Sequence, residues 1–316
     1  MAPIAITPAE VPETIPTKIM KQPQRQDSGM YSDSSETPRL SVTLNDGNEI
    51  PQVALGVYKA PNGEETENAV TAALDAGYRH IDSAARYMNE EACGRALRAW
   101  LEKTGTPREE VFITTKLWDA DHGYEATFNA LSESLRKFGL DYFDLYLIHS
   151  PADDEEKRVA SWRALETAQR LKLVKSIGVS NFGAEQLEGL LQVAQVVPAV
   201  NQIEVHPFLQ REDLVGLCNQ HGIKIEAYSP LARGNKLEDE RIKAIAAKYG
   251  KSPANIMLNW SAAKGNVVLP KSMTAHRIQS NLHESFDFQL ETEDIKAIDE
   301  MGAEEYVTGS LHRSKD

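Results

Sequence analysis

The chain has 316 residues, 41% hydrophobic and 26% charged, enough to bury a full core. At roughly 150 residues per domain it would form about two domains, unless it closes as one α/β barrel, which runs longer. Asp and Glu (47) outnumber Lys and Arg (34) for a net charge of -13, which argues against whole-surface attraction to nucleic acid or anionic lipid, so an anionic ligand must meet a local basic patch. No apolar run approaches the ~20 residues of a membrane span. Cys93 and Cys218 are the two cysteines, too few for a disulfide framework or a Cys-based metal site, and the expected compartment is the reducing cytosol.

Residues 1–38 hold six of the fifteen prolines (Pro3, Pro8, Pro12, Pro16, Pro23 and Pro38), with a Ser/Asp-rich stretch at 27–36. Such a segment buries too little surface to order itself, and a disordered tail is expected. It lacks the apolar core of a secretory leader, and Glu10, Glu13 and Asp27 sit poorly with an acid-poor transit peptide. Asp27–Ser32 matches a short phosphodegron-like pattern, but motifs this short match by chance and a plain solvated tail is the expected reading. The remainder, 39–316, reads as one domain.

Leu40–Leu44 and Glu49–Pro51 alternate in polarity around Asn45-Asp46-Gly47-Asn48, which predicts a β-hairpin that closes the bottom of the barrel. Short apolar strands are then expected at 53–57, 79–81, 111–115, 143–148, 174–179, 198–201, 223–227 and 267–269. Amphipathic stretches separate them: Ala69, Val70, Ala73 and Leu74 share one face of 64–76, as do Phe128, Leu131 and Leu135 in 123–138. Eight strands alternating with helices predict a parallel sheet with right-handed crossovers, and the count favours a closed (β/α)8 TIM barrel. The rival, a doubly wound open sheet that binds dinucleotides, would carry G-x-G-x-x-G, which is absent.

Barrel chemistry sits at the C-terminal mouth. The expected strands end in Val57-Tyr58, Ile81-Asp82, Thr115-Lys116, Ile148-His149, Ser180-Asn181, Asn201-Gln202, Ala227-Tyr228 and Pro270-Lys271. Polar residues end most strands, yet eight in a row including Asp, Lys, His and two Tyr point to one cavity. Asp82 and Lys116 fall on neighbouring strands, either as a structural ion pair or as part of a catalytic group. Tyr87 follows Asp82 by five residues. A cation close to a phenol lowers its pKa, so Tyr87 beside Lys116 reads as a tuned general acid, with Asp82 orienting the ammonium and His149 binding a substrate oxygen.

Seven ordered segments resemble the aldo-keto reductase family from about residue 40 to 300. They are Gly77–Tyr87 (GYRHIDSAARY), Ile113–Trp118 (ITTKLW), Leu145–His149 (LYLIH), Ile177–Phe182 (IGVSNF), Val200–Pro207 (VNQIEVHP), Ala227–Leu231 (AYSPL) and Leu269–Ser272 (LPKS). The resemblance implies a (β/α)8 barrel that binds NADPH in an extended pose and reduces aldehydes or ketones to alcohols. Its catalytic tetrad falls on Asp82, Tyr87, Lys116 and His149. The nicotinamide would stack on Tyr228, with its carboxamide held by Ser180, Asn181 and Gln202, and Ser229 and Leu231 fall at further cofactor contacts. Lys271, Ser272 and Arg277 would meet the 2′-phosphate, with Thr274 and Asn281 nearby. Two departures are visible: Ser280 replaces a common acidic residue before that Asn, and Ser150 replaces a common Trp after His149.

Tyr58 and Trp118 are expected as apolar walls of an open substrate pocket. The acidic run 153–156 reads as a solvated face, and His206 and His221 as structural. The expected product of the chain is a monomeric NADPH-dependent carbonyl reductase with a small-molecule substrate and no metal. Two alternatives are an NADPH-binding regulatory subunit with slow or no turnover, and a Schiff-base lyase using Lys116 or Lys271.

Overall fold

The computed structural model describes residues 40–302 and 304–308. The expected tail over 1–38, with the motif at 27–32, lies outside them. Strands β1 (Ser41–Thr43) and β2 (Glu49–Pro51) pair antiparallel with Val42 opposite Ile50. Gly47 turns the hairpin at φ 85°, a conformation that glycine adopts without a Cβ penalty.

Eight parallel strands follow in sequential spatial order. They are β3 (Leu55–Gly56), β4 (His80–Asp82), β5 (Phe112–Leu117), β6 (Phe143–Ile148), β7 (Val174–Ser180), β8 (Val200–Glu204), β9 (Lys224–Tyr228) and β10 (Val267–Leu269). The first and last meet around the back: Ala54 N donates to Val268 O at 2.9 Å, Val268 N to Gln52 O at 2.8 Å and Gly56 N to Pro270 O at 3.1 Å. This closes a (β/α)8 barrel. The helices are α1 (Glu64–Asp75), α2 (Glu90–Thr104), α3 (Tyr124–Phe138), α4 (Glu155–Arg170), α5 (Ala184–Leu191), α6 (Glu212–Gln220), α7 (Glu240–Tyr249), α8 (Pro253–Ala263), α9 (Ala275–Phe286) and α10 (Thr292–Asp299). Ser252 caps α8 in a reciprocal capping box with Asn255, and Pro253 fills its first turn. Among the described residues no helix is long and apolar enough to cross a membrane.

Two strands run two or more residues past their expected ends, for one reason. β5 reaches Leu117 and β8 reaches Glu204, because Lys116, Gln202 and Glu204 are strand residues whose polar side chains are buried in the barrel, and an apolar-run criterion stops before them. At the other extreme, β3 is only two residues long, and Val53 instead forms an isolated bridge to Val268.

The barrel interior is layered. Leu44, Ile50, Ala54, Phe112, Leu145, Leu147, Val200, Val267 and Leu269 form a separate apolar cluster, to which the hairpin contributes Leu44 and a fully buried Ile50. Asn45 Nδ2 donates to Pro198 O at 2.9 Å and Asn48 Nδ2 to Ser176 Oγ at 3.0 Å, so the hairpin is fastened over the N-terminal strand ends. The polar residues lie on the opposite side of this apolar floor, toward the C-terminal mouth.

Candidate active site

Lys116 is fully buried, and its Nζ donates to both oxygens of Asp82 and to Ser83 O, each at 2.8 Å. All three ammonium protons are thereby taken up, which is what a buried lysine requires. After β4 the chain makes a short 3-10 turn, Ala85–Tyr87, ended by Met88 in the left-handed region at φ 57°. This turn brings Tyr87 back over the ion pair, with Lys116 Nζ 5.1 Å from the centre of its ring. Around it stand Tyr58 at 5.0 Å and His149 at 5.6 Å between ring centres, and Trp118 packs edge-on at 5.3 Å against His149.

The Tyr87 phenol lies well above its ordinary pKa, because burial disfavours the phenolate, with Asp82, Tyr58 and Glu226 adding to the rise. The direction is opposite to that expected from a neighbouring lysine. The Lys116 charge is spent on Asp82, so desolvation prevails.

On the next strands, Ser180 Oγ donates to Gln202 O at 2.8 Å, and Asn181 Nδ2 donates to His149 O at 2.8 Å. Tyr228 Oη donates to Asn181 Oδ1 at 2.8 Å. Gln202 Nε2 spends its two protons on Asp82 Oδ2 (2.9 Å) and Glu226 Oε2 (2.7 Å), which leaves its carbonyl oxygen to face a ligand. Lys59, Met88, Asn181, Ser229, Ala232 and Arg233 all take positive φ in loops that follow β3, β4, β7 and β9. Backbone strain of this kind costs about 1–3 kcal/mol per residue and gathers at functional sites.

One cavity of about 820 Å³ joins these groups. Its wall includes Tyr58, Asp82, Tyr87, His149, Ser180, Asn181, Gln202, Tyr228, Ser229 and Leu231, and it continues past Lys271, Ser272, Thr274, Arg277, Ser280 and Asn281. Of the residues singled out in the sequence, Lys116 and Trp118 are off this wall: the first lies beneath Asp82, and the second reaches the site through His149. At the far end Thr274 precedes the first turn of α9, which carries Arg277. Ser272 Oγ accepts from Thr274 N at 3.1 Å. Lys271, ahead of the helix, and Arg277, in its first turn, bring two cations to that end, an arrangement whose chemistry suits an anion.

Several residues of the site escape sequence reasoning. Glu226, fully buried, lies two residues before Tyr228 and so on the same inward face of β9, a period-2 signal that was readable. Arg233 lines the cavity from a loop and gives no pattern. Thr308 reaches the wall because Glu204 accepts from Val307 N at 2.8 Å, Thr308 N at 3.2 Å and Thr308 Oγ1, a tether across 104 residues that no local signal marks.

The profile of the Aldo/keto reductase family matches residues 52–303. An aldo-keto reductase of Mycolicibacterium smegmatis is 48% identical over 257 residues, 81% of this chain and 91% of that protein. A glyoxal reductase of Bacillus subtilis is 45% identical over 267 residues, 84% of this chain and 94% of its own. The structure of a Bombyx mori aldo-keto reductase in complex with NADP aligns with a TM-score of 0.79 at 39% identity, covering 86% of this chain and 95% of that one. A match that spans nearly the whole barrel, with relatives of this identity along most of their length, means that the chain belongs to the aldo/keto reductase family of NAD(P)-dependent oxidoreductases that act on carbonyl groups.

Proposed function

We propose that the protein reduces an aldehyde or ketone to an alcohol with NADPH, and that Tyr87 donates the proton. The observation that carries this is the position of a protonated, partly buried phenol above a buried Asp82–Lys116 pair, on the wall of a cavity with Lys271 and Arg277 at its far end. When bound, the reduced cofactor supplies the hydride.

Every other part belongs to this chain. Tyr87, held in its acid form by burial, gives its proton to a carbonyl oxygen as that oxygen gains charge. The phenolate left behind faces the Lys116 ammonium, which Asp82 holds in place. His149, braced by Trp118 and by the tie from Asn181 to its backbone carbonyl, orients the same oxygen. Tyr228 presents a ring for the nicotinamide, with Ser180, Asn181 and the Gln202 carbonyl placed for its carboxamide. Ser229 and Leu231 would line the path of the cofactor's pyrophosphate, and Arg233 would add a cation there. Lys271, Ser272, Thr274, Arg277 and Asn281 would hold the adenosine end, and two cations suit an extra phosphate.

The free, buried thiols Cys93 and Cys218 fit a cytosolic protein, and we propose a monomer in which 39–316 works as one domain. The experiment is oxidation of NADPH and of NADH by the purified protein across aromatic, aliphatic and sugar-derived carbonyls. The expected result is turnover with NADPH preferred, and a preference reduced about tenfold or more when Lys271 and Arg277 are replaced by Met. NADPH binding without turnover on any carbonyl would instead make the protein a cofactor-binding regulatory subunit.

A further inference from the structure

Two exposed cations that the reaction does not use stand beside the rings of the site, Lys59 on the cavity wall and Arg86 against Trp118. Arg86, beside Tyr87 in the 3-10 turn, lies with its guanidinium 5.1 Å from the centre of the Trp118 ring. Lys59 Nζ is 5.6 Å from the centre of the Tyr58 ring. Both side chains are exposed, and among the described residues neither is in an ion pair. Successive ring contacts join them, Tyr58 to Tyr87, Tyr87 to His149 and His149 to Trp118, with the expected place of the carbonyl, at Tyr87 and His149, between the two.

The setting gives these charges their meaning. The chain has a net charge of -13, so an anion approaches the surface as a whole against repulsion and is drawn in only where cations stand alone. The acidic group nearest in sequence to Trp118, Asp119, is itself engaged, accepting from Ser150 Oγ at 2.6 Å. Stacking on Trp118 fixes the plane of the Arg86 guanidinium, and its fork of donors matches a carboxylate or phosphate.

We infer that the carbonyl compounds preferred by this site carry a small oxyanion, a carboxylate or a phosphate, set apart from the carbonyl and held by Arg86 and Lys59. The inference rests on the carbonyl-reductase reading and deepens it to a substrate class. A neutral aldehyde of the same shape occupies the same apolar walls but leaves both cations to water.

The test compares matched pairs: 4-carboxybenzaldehyde with methyl 4-formylbenzoate, succinic semialdehyde with methyl 4-oxobutanoate, and glyceraldehyde 3-phosphate with glyceraldehyde. In the wild type, kcat/KM for the charged member should exceed that of the neutral one by about tenfold, the factor that about 1.4 kcal/mol represents. A larger ratio for the first two pairs assigns the site to carboxylates, and for the third to phosphates. In Arg86→Gln, Lys59→Gln and the double variant the ratio should fall toward one. It should also shrink in the wild type between about 0.01 M and about 0.15 M salt. NADPH binding, followed by fluorescence, reports that each variant is folded. Equal use of charged and neutral members by the wild type, or a ratio indifferent to both substitutions, would overturn the inference. No turnover of any member would remove the carbonyl-reductase reading, and the inference with it.

Discussion

Lys116 has no part of its side chain in water, and Asp82, itself 3% exposed, meets its Nζ with both oxygens. Removing one partner of such a pair leaves the other charge buried alone. Lys116→Met is therefore expected to lower the unfolding free energy by about 3–5 kcal/mol, measured by urea titration. Two further buried groups shape the pH dependence. His80 is pushed down from 6.5 to about 3, first by burial and then by Lys116, against the pull of its bond with Pro51. Glu226 is pushed up from 4.5 to about 8 by burial and by Asp82, with Gln202 and Lys116 opposing. The unfolded state binds the extra proton at the histidine, so stability falls as pH drops from 6.5 toward 3. The folded state holds the extra proton at the glutamate, so stability falls as pH rises from 4.5 toward 8. Between 4.5 and 6.5 the two slopes oppose. Urea titrations at several pH values should show that Glu226→Gln, neutral throughout, lacks the wild type's decline from pH 6.5 to 8. A variant with the same decline would place its origin elsewhere. Asp82, Lys116 and His149 were legible from position at strand ends and Tyr87 from its spacing after Asp82, whereas the state of Tyr87 was not. Its pKa is set first by burial of the ring and then by the nearness of Asp82, a matter of ångströms that spacing does not carry.

Among the elements, α2 and α3 approach so closely at Gly94 that a Cβ there would fall 2.4 Å from Phe138 O and 2.6 Å from its Cα. Backbone cannot give way as a side chain tip can. Gly94→Ala should cost about 1–3 kcal/mol in a urea titration, although alanine is the better helix former. An unchanged midpoint would mean that the helices slide apart at little cost. Helices α1 and α3 were readable almost to the residue because their apolar stripes are continuous. The strands were readable as a set, and their ends less well. Inside a barrel mouth the period of two persists, but its inward positions turn from apolar to polar, as at Lys116, Gln202, Glu204 and Glu226. An eye for apolar runs loses the strand where it becomes chemically informative.

For the molecule as a whole, the architecture separates stability from chemistry: the hairpin and apolar floor close one end, and the polar ring and cavity open at the other. A ligand that spans the cavity ties β7, β9 and α9 together. NADPH at about 100 times its dissociation constant should therefore add about 2.7 kcal/mol to the unfolding free energy, and the gain should shrink when Lys271 and Arg277 are both replaced by Met. Closure of the barrel was foreseeable from eight alternating strands. The tether of Thr308 to Glu204 was not, because it joins segments far apart in sequence through backbone amides that any residue could supply. The central claim is that Tyr87 gives up the proton, and its most direct test is NADPH oxidation by the wild type and Tyr87→Phe on one well-used aldehyde. The account predicts a fall in kcat of about 10²–10⁴ with NADPH affinity retained. A Tyr87→Phe enzyme that turns over within a few-fold of the wild type would contradict it.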